Sequence, residues 1–492
     1  MIDNKNVLIF EVWGNPSSYR FVEYHVELLN KEFKKEKCKS TLKALLKSYE
    51  NSFCILFFSS TMGKIGKNYD EIIKSAEEEA KKFLENQDYC GMDYRNRVEI
   101  KIIPGIGRFK DNGEHKIFEG RINQIRTSAF ILALDELNNK KPNTVILDIS
   151  HGVNYMPVYI RDAVFDALIA YVALCQDKKI KWIVYNSEPV QEDNVEANIQ
   201  LVEDLEIDTK QAFSILYSKL NTVIKKYGNS KFVPVKWIQN KFETATYKSY
   251  SFSHDWDRLY KLVKKFVKSV NRGLILLLPY IKSELENIDI KKLKDEFYRF
   301  SYINCNDEIV RVDQNKSLVT YLVEPKIEIY FILTSAELIN NIRIKEIQDK
   351  YELEQLKEIG KRYIIEEAAQ KIVENELEQI KECVEIASSL NIKLNDEEPY
   401  NVYYYISQIK VKEKRLIDIY RREKKLENIS LVIFEENLNE WRKIVTPDER
   451  NFYAHAGLER NITNIIKSKE KIWIRYSDNG LEYAKKYAEK ES

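Results

Sequence analysis

The chain is poor in the residues that build metal centres and disulfide frameworks, with five His and six Cys among 492 residues. Cys38, Cys54, Cys90, Cys175, Cys305 and Cys383 are scattered, no C-x-x-C occurs, and no two His form an H-x-x-x-H. These spacings argue against a zinc centre, so no metal ligand is assigned. Apolar runs such as Leu274 to Leu278 with its neighbours fall far short of the roughly 20 residues that span a bilayer. The start, Met1-Ile2-Asp3-Asn4-Lys5-Asn6, lacks the charged-then-apolar order of a secretory leader. A reduced, cytoplasmic protein with no membrane partner is therefore expected. No G-x-G-x-x-G and no G-x-x-x-x-G-K-[ST] is present, which excludes a dinucleotide fingerprint and a P-loop. Net charge is only +1, so any nucleic-acid binding must rest on a local patch.

What the chain does have is enough apolar content, 44%, for real cores, and a length that suits about three domains. In the first 190 residues, Val7 to Trp13, Phe53 to Phe58, Val98 to Ile103, Val145 to Ile149 and Lys181 to Tyr185 read as strands. Several are apolar without alternation, as parallel strands covered on both faces are. Helical patterns lie between them, near 18–30, 70–86, 121–138 and 157–174. That order predicts a Rossmann-like, doubly wound α/β domain.

Small polar residues gather where these strands end. Trp13-Gly14-Asn15-Pro16-Ser17-Ser18 follows the first strand and Ser59-Ser60-Thr61-Met62-Gly63 the second. Ser150-His151-Gly152-Val153-Asn154-Tyr155-Met156-Pro157 follows the fourth, and Asn186-Ser187 the last. Open α/β sheets bind ligands at the carboxyl ends of their strands, where helix starts and small residues favour anions. Each loop alone is an ordinary strand-to-helix turn. Several at one end of a sheet point to a pocket. Trp13 either packs beneath it or touches the ligand. His151 either donates to a ligand or bonds a neighbouring loop.

Residues 191–400 read as mostly helical, with periodicity over Gln211 to Tyr227, Trp256 to Val270 and Ile344 to Leu390. Glu308 to Asp313 and Leu318 to Phe331 suggest a hairpin insertion. Arg258, Lys261, Lys264, Lys265 and Lys268 make one basic helix face, either a solvated side or a guide for RNA. His254 reads as part of a helix start capped by Ser253. After residue 400 helices return, over Val402 to Lys424 and Val432 to Val445, with a break at Gly457 and a final helix after Gly480.

Arg450-Asn451-Phe452-Tyr453-Ala454-His455 is the most informative stretch. Thr446-Pro447-Asp448-Glu449 before it reads as a capped helix start. Arg can hold a phosphate in a fork of hydrogen bonds, and His moves protons near neutral pH. Five residues of helix leave the two side chains about 140° apart, so one copy makes a poor site. Two copies across a symmetry axis can bring both pairs to one cleft.

Arg450, Asn451 and His455, with four residues between Arg and His, resemble the HEPN ribonuclease motif. The Trp13-Gly14-Asn15-Pro16 loop and the Asp148 to Pro157 segment are similar to those of CARF sensor domains. Together they resemble the CRISPR-associated ancillary ribonucleases of type III systems, which couple an N-terminal CARF domain to a C-terminal HEPN helical bundle. Ser150 stands where that family commonly has Thr, and Tyr19 where a second Trp is common.

The resemblance implies three regions: a CARF sensor over 1–190, a helical linker or insertion over 191–395, and an all-α HEPN ribonuclease over 396–492. It implies catalysis by Arg450, Asn451 and His455 without a metal or other cofactor, on single-stranded RNA, leaving a 2′,3′-cyclic phosphate. It implies an activator, a cyclic oligoadenylate expected to be cyclic tetraadenylate. That ring would be held by Trp13, Gly14, Asn15, Pro16, Ser17, Ser59, Ser60, Thr61, Ser150, His151, Gly152, Val153, Asn154 and Met156. It also implies a homodimer or a higher oligomer. The alternatives are a ligand-responsive CARF regulator that binds DNA through its helical region, a small-nucleotide α/β enzyme, and a HEPN toxin acting without ligand. The Arg450–His455 pair argues against the regulator, and the Trp13 loop against the toxin.

Overall fold

The computed structural model describes residues 6–111, 114–152, 155–175, 177–190, 195–230, 232–237, 254–298, 309–343, 346–347, 350–389, 410–411, 414–423, 449–459, 462–468 and 470–489. The chain divides into two compact units. One takes residues 1–257 and 289–334, the other residues 258–288 and 335–492.

Up to residue 208 the first unit carries the strands β1 (Val7–Trp13), β2 (Val22–Glu27), β3 (Phe33–Cys38), β4 (Ser52–Ser59), β5 (Val98–Ile103), β6 (Gly107–Asp111), β7 (Glu114–Glu119), β8 (Thr144–Asp148), β9 (Lys179–Ser187) and β10 (Glu196–Asp208). Eight of them form one sheet in the order β3-β2-β10-β9-β8-β1-β4-β5. The run from β9 to β5 is parallel throughout, with β1 between β8 and β4. Every residue of β1 and β8 is buried, as expected of central parallel strands. Side chains alternate along β1, so Val7, Ile9, Glu11 and Trp13 share one face. Val7, Ile9 and Trp13 join a core with Leu42, Leu45 and Leu46 and with Ala76 and Ala80. Glu11 is the one charged residue of that face.

Five helices belong with this sheet: α1 (Thr41–Ser48), α2 (Tyr69–Glu85), α3 (Ile122–Lys140), α4 (Met156–Leu174) and α5 (Thr209–Tyr227). The α/β class and the five expected strands are present, with boundaries moved by a few residues at most. The helix expected near 18–30 is instead the β2–β3 ribbon. In Val22-Glu23-Tyr24-His25-Val26-Glu27 burial alternates strictly, a period of two that the apolar–polar alternation of the residues already carries. The helix lies later, at α1, with Ser40 accepting from the Leu42 amide as its cap. β10 likewise is a long, polar strand inside the stretch read as mostly helical.

The expected hairpin exists as Val310–Asp313 paired antiparallel with Leu318–Tyr321. Leu318–Tyr321 then adds in parallel to β7, closing a second, four-stranded sheet with the β6–β7 hairpin.

Further along the chain come α6 (Asp255–Asn271), α7 (Leu277–Leu285), α8 (Ile290–Tyr298), α9 (Glu328–Asn340), α10 (Leu353–Tyr363) and α11 (Glu367–Ser389). The second unit is mainly helical, and includes α7, α10, α11 and helices Leu416–Glu423, Glu449–Ala454 and Asp478–Glu489. The C-terminal stretch read as purely helical also holds strands Thr463–Ser468 and Lys471–Tyr476. They form an antiparallel hairpin that joins Lys350–Glu352 and Glu346–Ile347 in a four-stranded sheet. Ile465, Ile466, Trp473, Ile474 and Tyr476 favour a pleated, half-buried surface over a helix. Gly480 does not precede the last helix but is its third residue. The helix expected over Val432 to Val445, residues 402–409 of the one before it, Ser253, Glu308, Cys305 and Thr446-Pro447-Asp448 lie outside the described residues. Among the described residues no helix is long and apolar enough to cross a membrane.

Candidate functional site

Two separate constellations carry the residues singled out from the sequence, one in each unit. The first sits at the carboxyl ends of β1 and β8. The indole of Trp13 is fully buried, and its N–H donates to Glu11 Oε1 at 3.0 Å. Thr41 Oγ1, at the start of α1, donates to the same oxygen at 3.1 Å. Glu11 is paired in register with Asp148 on β8. Burial, then the Asp148 carboxylate beside it, pushes the Glu11 carboxyl well above its usual range.

Above this pair the first and fourth loops meet. The His151 ring stacks on Tyr19, and the Thr41 amide donates to His151 Nε2 at 3.2 Å. Burial lowers the His151 pKa to about 4, so its ring is neutral at pH 7. Because Nε2 accepts, Nδ1 carries the proton and is the ring's donor. Tyr19 Oη accepts from the Gly14 amide at 3.0 Å. Asn15 and Ser17 are exposed, and Asn15 Oδ1 accepts from the Ser17 amide and hydroxyl at 3.1 and 2.7 Å. Pro16 and Gly14 are buried beneath them. Ser150 stitches strand ends together, its amide donating to Asp148 Oδ1 at 2.9 Å and its hydroxyl accepting from the Ser187 amide at 2.7 Å. Gly152 has φ +139°, and an added Cβ would stand 2.9 Å from Pro157 Cγ and 3.3 Å from Val12 Cγ1. Only glycine suits that position. Met156 is buried at the first position of α4. Val153 and Asn154 lie outside the described residues.

The second loop is arranged differently. Ser59, Ser60 and Thr61 are buried and bonded inward. The Ser59 and Thr61 hydroxyls pair at 2.8 Å, while Ser60 Oγ accepts from the Gly105 amide at 3.1 Å and lies 3.3 Å from Tyr321 Oη. Tyr19, Glu11 and Thr41 join the pocket without having been picked out as ligand-pocket residues. A lone Glu in an otherwise apolar strand was the signal for Glu11.

The second constellation is the helix Glu449–Ala454. Arg450 and Asn451 are exposed on it and Phe452 is buried, against Tyr487 at 5.3 Å between ring centroids. His455 follows the last helical residue, its amide donating to Asn451 O at 3.0 Å. Ala456 and Gly457 then take left-handed φ of +51° and +75°. The Gly457 amide returns to Phe452 O at 2.8 Å, which closes the helix end. Tyr476 Oη donates to Gly457 O at 2.9 Å. The chain around His455 is therefore held from both sides. His455 Nδ1 lies 2.8 Å from Glu376 Oε1 of α11, a residue the sequence reading did not mark. Arg272 lies over the Tyr453 ring at 4.3 Å. This set offers a cation, an amide and a carboxylate-held imidazole within six residues, group types that suit phosphate binding and proton transfer.

Among the described residues one group could hold a metal ion: Glu23, His25 and Glu196. His25 Nε2 lies 3.0 Å from Glu23 Oε1 and 3.9 Å from Glu196 Oε2, and Lys35 pairs with Glu23 at 3.4 Å. It lies on β2 and β10 and includes none of the residues described above. The basic helix face, Arg258 to Lys268, lies in the second unit, and its five residues all have interaction partners.

Comparison with known proteins places both constellations in matched domains. Residues 8–189 match the family model of the CRISPR system endoribonuclease Csx1 CARF domain, and residues 366–479 match that of the Csx1 HEPN domain. A Methanocaldococcus jannaschii protein, CRISPR system endoribonuclease Csx1, is 25% identical over 96% of this chain and 92% of its own length. A solved structure, Enterococcus italicus Csm6 bound to cyclic hexa-2′-fluoro-hexa-dAMP, aligns over 98% of both chains at 9% identity with a TM-score of 0.25, too low to carry weight. With both domain models matched in order along one chain, the protein belongs to the CRISPR-associated ancillary ribonucleases that join an N-terminal CARF domain to a C-terminal HEPN domain.

Proposed function

We propose that this chain is a metal-independent endoribonuclease of single-stranded RNA, switched on by a cyclic oligoadenylate in type III CRISPR defence. The observation that carries the reading is the Arg450–Asn451–His455 set, with two exposed polar side chains and an imidazole oriented by a carboxylate. The end-to-end likeness to a curated endoribonuclease supports it. Residues 1–190 serve as the sensor and the nuclease takes in the HEPN match from residue 366 onward, which leaves the residues between them as the connecting region.

In the reaction the RNA 2′-oxygen attacks the adjacent phosphorus and the bond from phosphorus to the 5′-oxygen breaks. The products are a 2′,3′-cyclic phosphate and a 5′-hydroxyl. His455 takes the hydroxyl proton or returns one to the leaving oxygen, a contribution of about 10²–10⁴ in rate. Arg450 holds the phosphate and offsets charge building on its oxygens. Asn451 orients the phosphate or the imidazole. The nucleophile is already part of the substrate, so the reaction needs no metal-bound water. A homodimer brings two such sets to one cleft and presents two copies of each sensor loop to a ring with matching symmetry.

The ring, expected to be cyclic tetraadenylate, is held by the Asn15–Ser17 and Ser150–Met156 loops, with the His151 Nδ1–H as a donor. Gly14, Pro16 and Trp13 shape the floor, and Ser59, Ser60 and Thr61 brace the neighbouring strand end. Activation requires that the ring bind the active arrangement more tightly than the idle one.

The test is RNA cleavage by the full chain in EDTA, with and without cyclic tetra- and hexaadenylate. Wild type should cleave to 2′,3′-cyclic phosphate ends, and Arg450→Ala and His455→Ala should each lose at least about 10²-fold. Wild-type rates in either variant would sink the mechanism. A rate indifferent to every ring would remove the sensor and leave the nuclease.

A further inference from the structure

The ribonuclease reading leaves one buried acid unexplained. Helix α11 carries an apolar stripe of Val373, Leu377, Ile380, Cys383, Val384 and Ala387 at helical spacing, all buried. Glu376 sits on that stripe and is only 5% exposed. A carboxylate in such a position costs several kcal/mol unless partners meet it. The same helix buries a second acid, Glu382, and there the partner is a permanent cation, Arg421, at 2.8 Å. Glu376 is in contact with a titratable imidazole, His455 at 2.8 Å, from a segment 79 residues away in the chain.

The atoms involved decide what this contact does. A carboxylate accepts and does not donate, so His455 Nδ1 carries the proton. The neutral ring then has its lone pair on Nε2, the nitrogen left to exchange protons with a substrate. The backbone just after His455 is already turned by the left-handed residues Ala456 and Gly457. The carboxylate adds what the backbone cannot, a fixed ring rotation and a fixed tautomer. It also favours the imidazolium that forms once Nε2 has taken a proton.

We propose that Glu376 is the positioning residue of the ribonuclease site, holding His455 as the Nδ1–H tautomer so that Nε2 does the proton transfer. The proposal rests on the ribonuclease reading above and adds to it a residue outside the Arg-x₄-His stretch. Glu376 touches no substrate. It acts through His455, and the active constellation is therefore assembled from α11 and the Glu449–Ala454 helix end together.

The experiment compares full-length wild type, His455→Ala, Glu376→Gln and Glu376→Asp in the activated cleavage assay, with thermal melting to confirm folding. Glu376→Gln keeps size and hydrogen bonding but removes the charge. Its kcat should fall about 10²-fold while KM changes less than about threefold. Glu376→Asp keeps the charge and should retain about tenfold more activity than the Gln variant. Imidazole ¹⁵N resonances of His455, identified by their loss in His455→Ala, should report one Nδ1–H tautomer in wild type and a mixture in Glu376→Gln. A Glu376→Gln kcat within threefold of wild type, beside an inactive His455→Ala, overturns the proposal and leaves the ribonuclease reading standing. Equal losses in the Gln and Asp variants, or an unchanged tautomer in Glu376→Gln, mark a packing role and overturn it too. An active His455→Ala removes the ribonuclease reading itself, and this proposal with it.

Discussion

The imidazole of His151 stacks on the ring of Tyr19, 4.1 Å between centroids and 16° from parallel. The contact joins the loop after β1 to the loop after β8, 132 positions later in the chain. Each ring also has a backbone partner, Tyr19 through the Gly14 amide and His151 through the Thr41 amide. Three segments are thereby tied at one point of the proposed ring-binding surface.

Loosening that point should weaken the activator. Tyr19→Ala is expected to cost about 1.4 kcal/mol, a tenfold rise in Kd for cyclic tetraadenylate by titration calorimetry. Tyr19→Trp keeps an aromatic face and should stay within about threefold. If Tyr19→Ala binds as wild type does, the stacked pair takes no part in ligand binding.

His151 should make the fold sensitive to acid. Its pKa is lowered in the folded chain to about 4 by burial, from about 6.5 when unfolded. Between those values the unfolded chain binds more protons, so stability falls as pH falls from about 6.5 toward 4. The ring is partly open to water, so the loss is at most about 3 kcal/mol. Urea unfolding at pH 7.5, 6 and 5 should show a gap between wild type and His151→Gln that changes in this window. A constant gap would mean the ring titrates normally.

Glu11 should act with the opposite sign. Its carboxyl pKa is raised in the folded chain, chiefly by burial and then by Asp148. The folded state holds the proton more tightly, so its contribution is full at low pH and declines as pH rises above the unfolded value of about 4.3. Glu11→Gln mimics the protonated form and can still accept from Trp13 and Thr41. Its Tm relative to wild type should therefore rise steadily from pH 5 to 8. A difference independent of pH would show that Glu11 holds no extra proton.

Gly457→Ala should damage the nuclease unit. The residue has φ +75°, and an added Cβ would stand 3.2 Å from Leu274 Cδ2 and from Tyr476 Oη. Strain and crowding together should cost about 1–3 kcal/mol of stability, with RNA cleavage falling as the His455 backbone shifts. Unfolding and cleavage measured on the same sample check this, and a variant unchanged in both would mean the helix end tolerates rearrangement.

Much of the fold was legible because its signals are local. Val7 to Trp13 and Ser52 to Ser59 announce themselves as apolar runs too short for helices, and α2, α3 and α4 by periodicity. The failures have two causes. The alternation of β2 is written in its own six residues and was overlooked, whereas in β10 and the Thr463–Tyr476 hairpin the strand character depends on partners elsewhere in the chain. Ser59, Ser60 and Thr61 stood at a strand end, where ligands bind, yet the Ser59 and Thr61 hydroxyls pair with each other and that of Ser60 turns inward to Gly105 and Tyr321. Nothing within their own loop encodes that choice.

The sequence by itself determined the chemistry on hand: an Arg, an Asn and a His within six residues, and small polar loops after parallel strands. It determined these because residue type and near spacing are properties of the chain alone. Only the tertiary structure decided which groups became partners. Glu376 reaches His455 across 79 residues, Glu11 stands in register with Asp148 across two strands, and Thr41 caps the His151 ring. Proton positions and ring orientations follow from such contacts, and electrostatic and hydrogen-bond energies depend on distances of a few ångströms that separation along the chain does not set.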